Sequence, residues 1–275
     1  MKYLFVIVIC SLSIKNFAQD IETEITDGVI YNFTHVLDTA DREKAIKEQM
    51  VLFYSKSASL YKSYKEILDG IERNRRYAEA ESKGLGSVNT SGLKPASGNA
   101  IFFNYPIKQL LEYKRILSKK YLVTNDSWNI QWTIKNETKK IGDWICQRAD
   151  CRFRGRNYIV WFCNDIPYPF GPWKLNGLPG LIMEANDDRS EVFFKFVEFL
   201  KPGANGFESA FALPKNYNSV TQAAYKKLVK AYYDNPDLFS NPNAEATVVA
   251  VDANGNTPVF KKPVPINNPI EKSDH

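Results

Sequence analysis

The sequence predicts a mainly β protein, built as an antiparallel sheet with two helices packed on it. Three observations carry that expectation. Short runs rich in Val, Ile, Thr, Tyr and Phe recur along the chain, and its 15 Tyr and 17 Phe supply the large side chains that a pleated, half-buried surface favours. The runs are joined by tight turns with no helix between most of them, which selects an antiparallel meander over a parallel α/β sheet. Only two stretches carry a helical period.

The first strand signal covers Gly28 to Asp38, followed by Glu48 to Tyr54 and Ala58 to Tyr64. Tyr64, Ile67, Leu68 and Ile71 then fall at helical spacing and predict a helix over residues 64–81, ended by the Ser, Gly, Asn and Pro of Ser82 to Asn99. Strand-like pieces continue at 101–105, 110–117, 120–124, 129–134, 141–153 and 156–163. After a Pro/Gly-rich passage from Ile166 to Gly180, residues 181–185 and 191–200 read as a hairpin turning through Asn186-Asp187-Asp188-Arg189. Ser219 and Gln222 make a capping box, and Val220, Ala223, Ala224, Leu228, Ala231 and Tyr232 form one apolar stripe of a second helix. Residues 252–275 are rich in Pro, Asn, Lys and Gly, which predicts an extended or disordered tail and leaves a single domain over 19–251.

The beginning of the chain reads as a signal peptide over residues 1–18. Met1 and Lys2 give a positive end, Tyr3 to Ile14 an apolar stretch, and Asn16 to Gln19 a small-residue cleavage zone. The apolar run is about a dozen residues, short of the roughly 20 that a spanning helix needs, and no stop-transfer segment follows. The mature protein is therefore expected to be exported, periplasmic or secreted, with no transmembrane segment. Cleavage removes Lys2 and Lys15, so the formal charge falls from +5 to about +3, too little to argue for nucleic acid. Cys146, Cys151 and Cys163 remain, an odd number in a compartment that permits disulfides.

Histidine is scarce. Only His35 and His275 exist, so a Ser-His-Asp or Cys-His constellation would rest on His35 alone, which sits in an alternating strand as an ordinary sheet histidine would. No His/Cys spacing suits a transition metal, and no catalytic residue, metal site or cofactor is assigned. Glu184, Asp187, Asp188 and Glu191 bracket the hairpin but lack the order of a calcium loop, and read as a solvated turn.

The most distinctive passage runs Gly171-Pro172-Trp173-Lys174 and then Gly177-Leu178-Pro179-Gly180-Leu181-Ile182. Its glycines do not make a nucleotide loop, because no Lys-Ser/Thr pair follows and the next segment is strand-like. A structural role fits better: Gly177 and Gly180 permit unusual backbone angles, the prolines stiffen the chain, and Trp173, Leu178 and Leu181 pin it to the core. This passage, with Gly28 to Phe33, Lys140 to Ala149, Gly155-Arg156, Trp161 and Asn268-Pro269-Ile270-Glu271, strongly resembles the GLPGLI family of exported Bacteroidetes proteins. The resemblance implies a β-rich secreted or periplasmic protein without an established activity. A weaker similarity, to the N-terminal domain preceding the catalytic part of a type II peptide:N-glycosidase, implies a curved or bowl-like sheet but not the amidase chemistry.

A hairpin turning between Arg154 and Gly155 places Arg148 opposite Trp161, Cys146 opposite Cys163, and Cys151 opposite Tyr158 on the other face. Arg148, Arg152 and Trp161 then share a face as a candidate binding platform with an Arg148–Trp161 cation–π contact, and Cys146 and Cys163 are the disulfide candidate. A turn displaced by half a residue would instead put Cys146 opposite Asn164. The functional expectation is a non-enzymatic cell-envelope protein, a binding or accessory module for an outer-membrane or surface system whose ligand or partner is unknown. The alternatives are a carboxylate-dependent hydrolase acting on peptide or glycan, and metal handling through convergent thiols.

Overall fold

The structure is a computed structural model and describes residues 27–93, 98–117, 119–125, 129–200, 216–234 and 267–272. The signal-peptide reading lies outside these residues. The strands are β1 (Asp27–His35), β2 (Ile46–Tyr54), β3 (Ala58–Ser63), β4 (Ala100–Asn104), β5 (Gln109–Ile116) and β6 (Lys119–Asn125), then β7 (Thr133–Ile141), β8 (Trp144–Phe153), β9 (Arg156–Cys163), β10 (Leu181–Asp187), β11 (Val192–Leu200) and β12 (Asn218–Thr221). Helix α1 (Tyr64–Ser82) lies between β3 and β4, and α2 (Gln222–Asp234) follows β12.

All twelve strands belong to one sheet, in the order β12-β6-β5-β4-β3-β2-β1-β11-β10-β9-β8-β7. Two meanders, β1 to β6 and β7 to β11, meet where β1 pairs with β11. The pairing is antiparallel except for β12, which runs parallel to β6, so the expected antiparallel sheet is in fact mixed. Its curvature follows from chain length. Strands β6 and β7 stand ten places apart, about 48 Å in a flat sheet at roughly 4.8 Å per strand. The eight chain steps from Asn125 to Thr133 reach at most about 29 Å, so the sheet must curl.

The curled inner face is filled by the Pro/Gly-rich passage. Phe170, Trp173, Leu175 and Leu178 pack in one cluster with Val29 and Tyr31 of β1, Tyr54 of β2, Phe103 of β4, and Phe153 and Tyr158 of β8 and β9. A Cβ on Gly180 would lie 1.9 Å from the Cys163 carbonyl oxygen, and Gly177 has φ +93°. Trp173 is buried and itself left-handed, φ +58°, an uncommon conformation for a bulky residue. Its indole is wedged against Phe153 and Tyr158, with ring centroids 5.7 and 6.0 Å away.

Helix α1 covers the opposite face, where Ile67 joins Val51, Phe53, Leu60 and Phe102. The Ser63 hydroxyl caps it by accepting from the Glu66 amide at 3.4 Å, and Gly84 (φ +61°) ends it while Leu85 N–H bonds back to the Ala80 carbonyl. Helix α2 begins later than its apparent capping box. Ser219 is in β12, and the Thr221 hydroxyl accepts from Ala224 N–H instead. The charged run Thr133–Ile141, split in the sequence reading, is one edge strand that turns at Gly142-Asp143 into β8.

Residues 267–272, assigned by composition to the tail, are not loose. Asn268 is 1 % exposed, its amide donates to Val36 O and its N–H to Leu37 O, and Lys272 N–H donates to Arg154 O. Asparagine and proline here make a docked segment, because their polar groups meet carbonyls and cations left open at the ends of β1 and β9.

Candidate functional site

A cavity of about 370 Å³ opens on the inner face, bounded by β1, β3, β4, β5, β11, α2, the Trp173 loop and the docked C-terminal segment. Lateral register builds its floor. Tyr61 stands beside Ile101, and Ile101 beside Glu112, so the three project from one row of β3, β4 and β5. Phe33 and Phe194 face each other across β1 and β11 and stack at 5.1 Å.

One wall is charged and internally compensated. Lys174, 1 % exposed, donates to Glu112 Oε1 at 2.6 Å and to Glu271. Glu112 also pairs with Lys114 at 2.9 Å and accepts from Asn125 at 2.7 Å. Burial pushes the Glu112 carboxyl up, but the Lys174 and Lys114 charges outweigh it and hold the group at about 2. A carboxylate so firmly ionised cannot deliver a proton near neutral pH.

A second buried cluster anchors the C-terminal segment at the cavity's end. The Arg156 guanidinium donates to Asp187 at 2.5 Å, Glu191 at 2.8 Å, Asn268 Oδ1 at 2.7 Å, Pro269 O at 2.8 Å and Ile270 O at 3.0 Å. Its five N–H groups thus meet five oxygens. His35 Nε2 donates to Asn268 O at 2.8 Å, since a carbonyl can only accept. Burial lowers the His35 pKa and nearby Arg156 lowers it further, against the Asn268 hydrogen bond and the Asp187 and Glu191 charges. Among the described residues the buried hydroxyl of Tyr61, like that of Tyr158, has no hydrogen-bond partner.

The residues singled out from the sequence lie elsewhere or act differently. The hairpin register is as derived, with Arg148 opposite Trp161 and Cys151 opposite Tyr158. The expected Arg148–Trp161 contact is not made. Arg148 instead takes Asp150 through two hydrogen bonds, 2.8 and 3.0 Å, and Glu137 at 3.3 Å. Lys139 sits over the Trp161 ring at 5.4 Å and pairs with Glu184. A bidentate carboxylate two residues along the same face outcompetes a half-exposed ring for the guanidinium. Arg152 is exposed on that face, so this group surrounds no part of the inner cavity.

Cys146 and Cys163 are buried free thiols brought together by the hairpin. Burial, then the neighbouring Cys163, pushes the Cys146 thiol up to about 12. Cys151, also free, is pushed to about 12 by burial in the core, against a hydrogen bond from the Tyr158 backbone. The acidic hairpin is not the solvated turn expected of it. Asp187 is fully buried and accepts from Arg156 and the Glu191 and Val192 amides, and Glu191 pairs with Arg156 and Lys272. Among the described residues no group of three or more His, Cys, Asp or Glu is placed to hold a metal ion.

The residues that shape the cavity, Tyr61, Glu112, Lys174 and Glu271, were passed over as chemistry. The available signals were an acid inside the apolar run Leu110-Leu111-Glu112-Tyr113 and a lysine between Trp173 and Leu175. Ionised residues in such settings are buried only when paired.

No family model matches the chain, and no curated protein matches it. Two solved structures of PNGF-II are similar in fold, one in space group P21 with a TM-score of 0.53 and one in C2 with 0.50, each at 13 % identity. They match 75 and 74 % of this chain, which spans 33 % of the PNGF-II chain in both. The likeness is one of fold.

Proposed function

We propose that this chain is an exported, non-enzymatic cell-envelope protein of the GLPGLI family, a bowl-like binding or accessory module for an outer-membrane or surface system. The observation that carries the reading is the state of the carboxylates around the inner cavity. Glu112 and Glu271 are tied to one lysine, and Glu112 is held at about 2, so Glu112 is not poised as the proton donor that carboxylate-dependent hydrolysis needs. The aromatic floor and compensated wall suit holding a ligand more than transforming one. Purified mature protein is expected to turn over no substrate in peptide, glycan and peptidoglycan panels. Reproducible turnover abolished by Glu112→Gln would overturn the reading in favour of a hydrolase.

An oxidising compartment would let the paired Cys146 and Cys163 thiols close to a disulfide, leaving Cys151 free. Non-reducing peptide mapping of the exported protein tests this: alkylation of all three thiols without prior reduction removes the bridge.

A further inference from the structure

The face of the sheet that carries α1 is only partly covered. Val51 and Phe53 lie under Ile67 of the helix, but β2 runs on beyond them. Lateral register there sets two rows across β2, β1 and β11: Gln49, Asn32 and Lys195 in one, Lys47, Thr34 and Phe193 in the next. These six residues line a groove of about 590 Å³. Its charge is positive. Lys47 and Lys195 are exposed, and neither has a carboxylate within ion-pair distance among the described residues, whereas farther along the same face Arg148 is matched by Asp150 and Lys139 by Glu184. Glu48, at the groove's edge, pairs with Phe33 and so turns to the other face, where it accepts from the Ser63 hydroxyl. Gln49 Nε2 donates to Asn32 Oδ1 at 3.4 Å, which leaves Gln49 Oε1 and the Asn32 amide N–H groups for a ligand group that both donates and accepts, as a hydroxyl does. The half-buried Phe193 ring adds an apolar surface.

We propose that this groove binds an acidic oligosaccharide, with carboxylates paired to Lys47 and Lys195, hydroxyls to Asn32 and Gln49, and the C–H face of one sugar ring on Phe193. The site lies on the opposite face from the inner cavity and goes beyond the reading given to that cavity. Register sets the spacing of charge. Lys47 and Lys195 stand two strands and two residues apart, about 12 Å between Cα atoms, with the amides between them. That separation suits carboxylates spaced along a chain by neutral, hydroxyl-bearing units. A nucleic acid, with a phosphate at every unit, would present more charge than two lysines can match.

Titration of the full-length mature protein with a hyaluronan hexasaccharide, in which uronate alternates with a neutral N-acetylated sugar, and with chitohexaose, its uncharged counterpart, tests the proposal by ligand-observed NMR. The hyaluronan hexasaccharide should saturate and bind about tenfold tighter than chitohexaose, the contribution of two exposed ion pairs. Lys47→Gln and Lys195→Gln should each weaken its binding about threefold, and the double variant should bind both sugars alike. The melting temperature should stay that of wild type, because both lysine side chains are exposed. Asn32→Trp, which fills the groove from an exposed position, should abolish binding of both sugars. Absence of saturable hyaluronan binding, equal affinity for chitohexaose in the wild type, or a preference that survives the double substitution overturns the proposal. So does displacement by equimolar inorganic sulfate, which would mark a small-anion site, or tighter binding of oligothymidylate, which would mark a nucleic-acid groove. Turnover lost in Glu112→Gln would overturn the non-enzymatic reading of the inner cavity and leave these titrations unaltered.

Discussion

Lys174 and Arg156 are both buried cations that hold the C-terminal segment, yet they are finished to different degrees. Arg156 lies between two strands and spends five donors on five oxygens, three of them from residues 268–270. Lys174 is a compact charge on a flexible stem, shared between Glu112 of the sheet and Glu271 of the segment, and it is these two partners that line the cavity. The planar fork closes a structural latch, whereas the ammonium balances the wall of a cavity. Burial alone does not separate the two clusters; the count of satisfied donors and whether the partner carboxylates line the cavity do.

The largest expected effect breaks the latch. Arg156→Leu strands Asp187, at 0 % exposure, without a cation, leaves Glu191 only Lys272, and should destabilise the protein by about 3 to 5 kcal/mol in urea unfolding. A loss under about 1 kcal/mol would mean that the segment is held by its backbone bonds. Lys174→Met should cost less, about 2 to 3 kcal/mol, because Glu112 keeps Lys114 and Asn125. Equal losses in the two variants would remove the distinction between closed and open clusters.

Acid sharpens the same contrast. The Glu112 carboxyl falls from its ordinary 4.5 to about 2 in the folded protein, so its contribution is complete above pH about 4.5 and is lost as pH drops toward about 2. Stability of Glu112→Gln should therefore vary less with pH across that window than stability of wild type, measured by urea midpoints at stepped pH. Parallel profiles would show that Lys174 does not hold the carboxylate ionised. The smallest effect is at Glu271, whose side chain is partly exposed: Glu271→Gln should cost about 1 kcal/mol and leave the Arg156 cluster intact, seen as an unchanged unfolding slope.

Much of this architecture was legible because short-range chemistry specified it. The helical spacing of Tyr64, Ile67, Leu68 and Ile71 marks α1 to within a residue, and Arg154-Gly155 gives a hairpin register in which every pair from Gln147–Phe162 to Phe153–Arg156 follows. What was illegible depended on partners far along the chain. Strand β12 is four mostly exposed residues whose only reason to extend is the edge of β6. Strand β7 carries no apolar alternation, since its outer edge faces water. The platform of Arg148 and Trp161 had its register right and its contact wrong, because Asp150 and Lys139 were equally near. Lys174 could not be assigned without knowing that Glu112 and Glu271 reach it from 62 residues before and 97 residues after it in the chain.

Strand β1 lies at the centre of the finished sheet, and that position has a kinetic consequence. Synthesis releases β2 to β6 directly after it, so the first meander can form from neighbouring segments. The other margin of β1 must wait for β11, the last strand of the second meander, with His35 meeting Val192. Until then β1 presents an open edge with Val29, Ile30 and Tyr31, all buried in the finished fold, the stretch a holding chaperone would have reason to cover. The interior of the native sheet is the frontier of the nascent one.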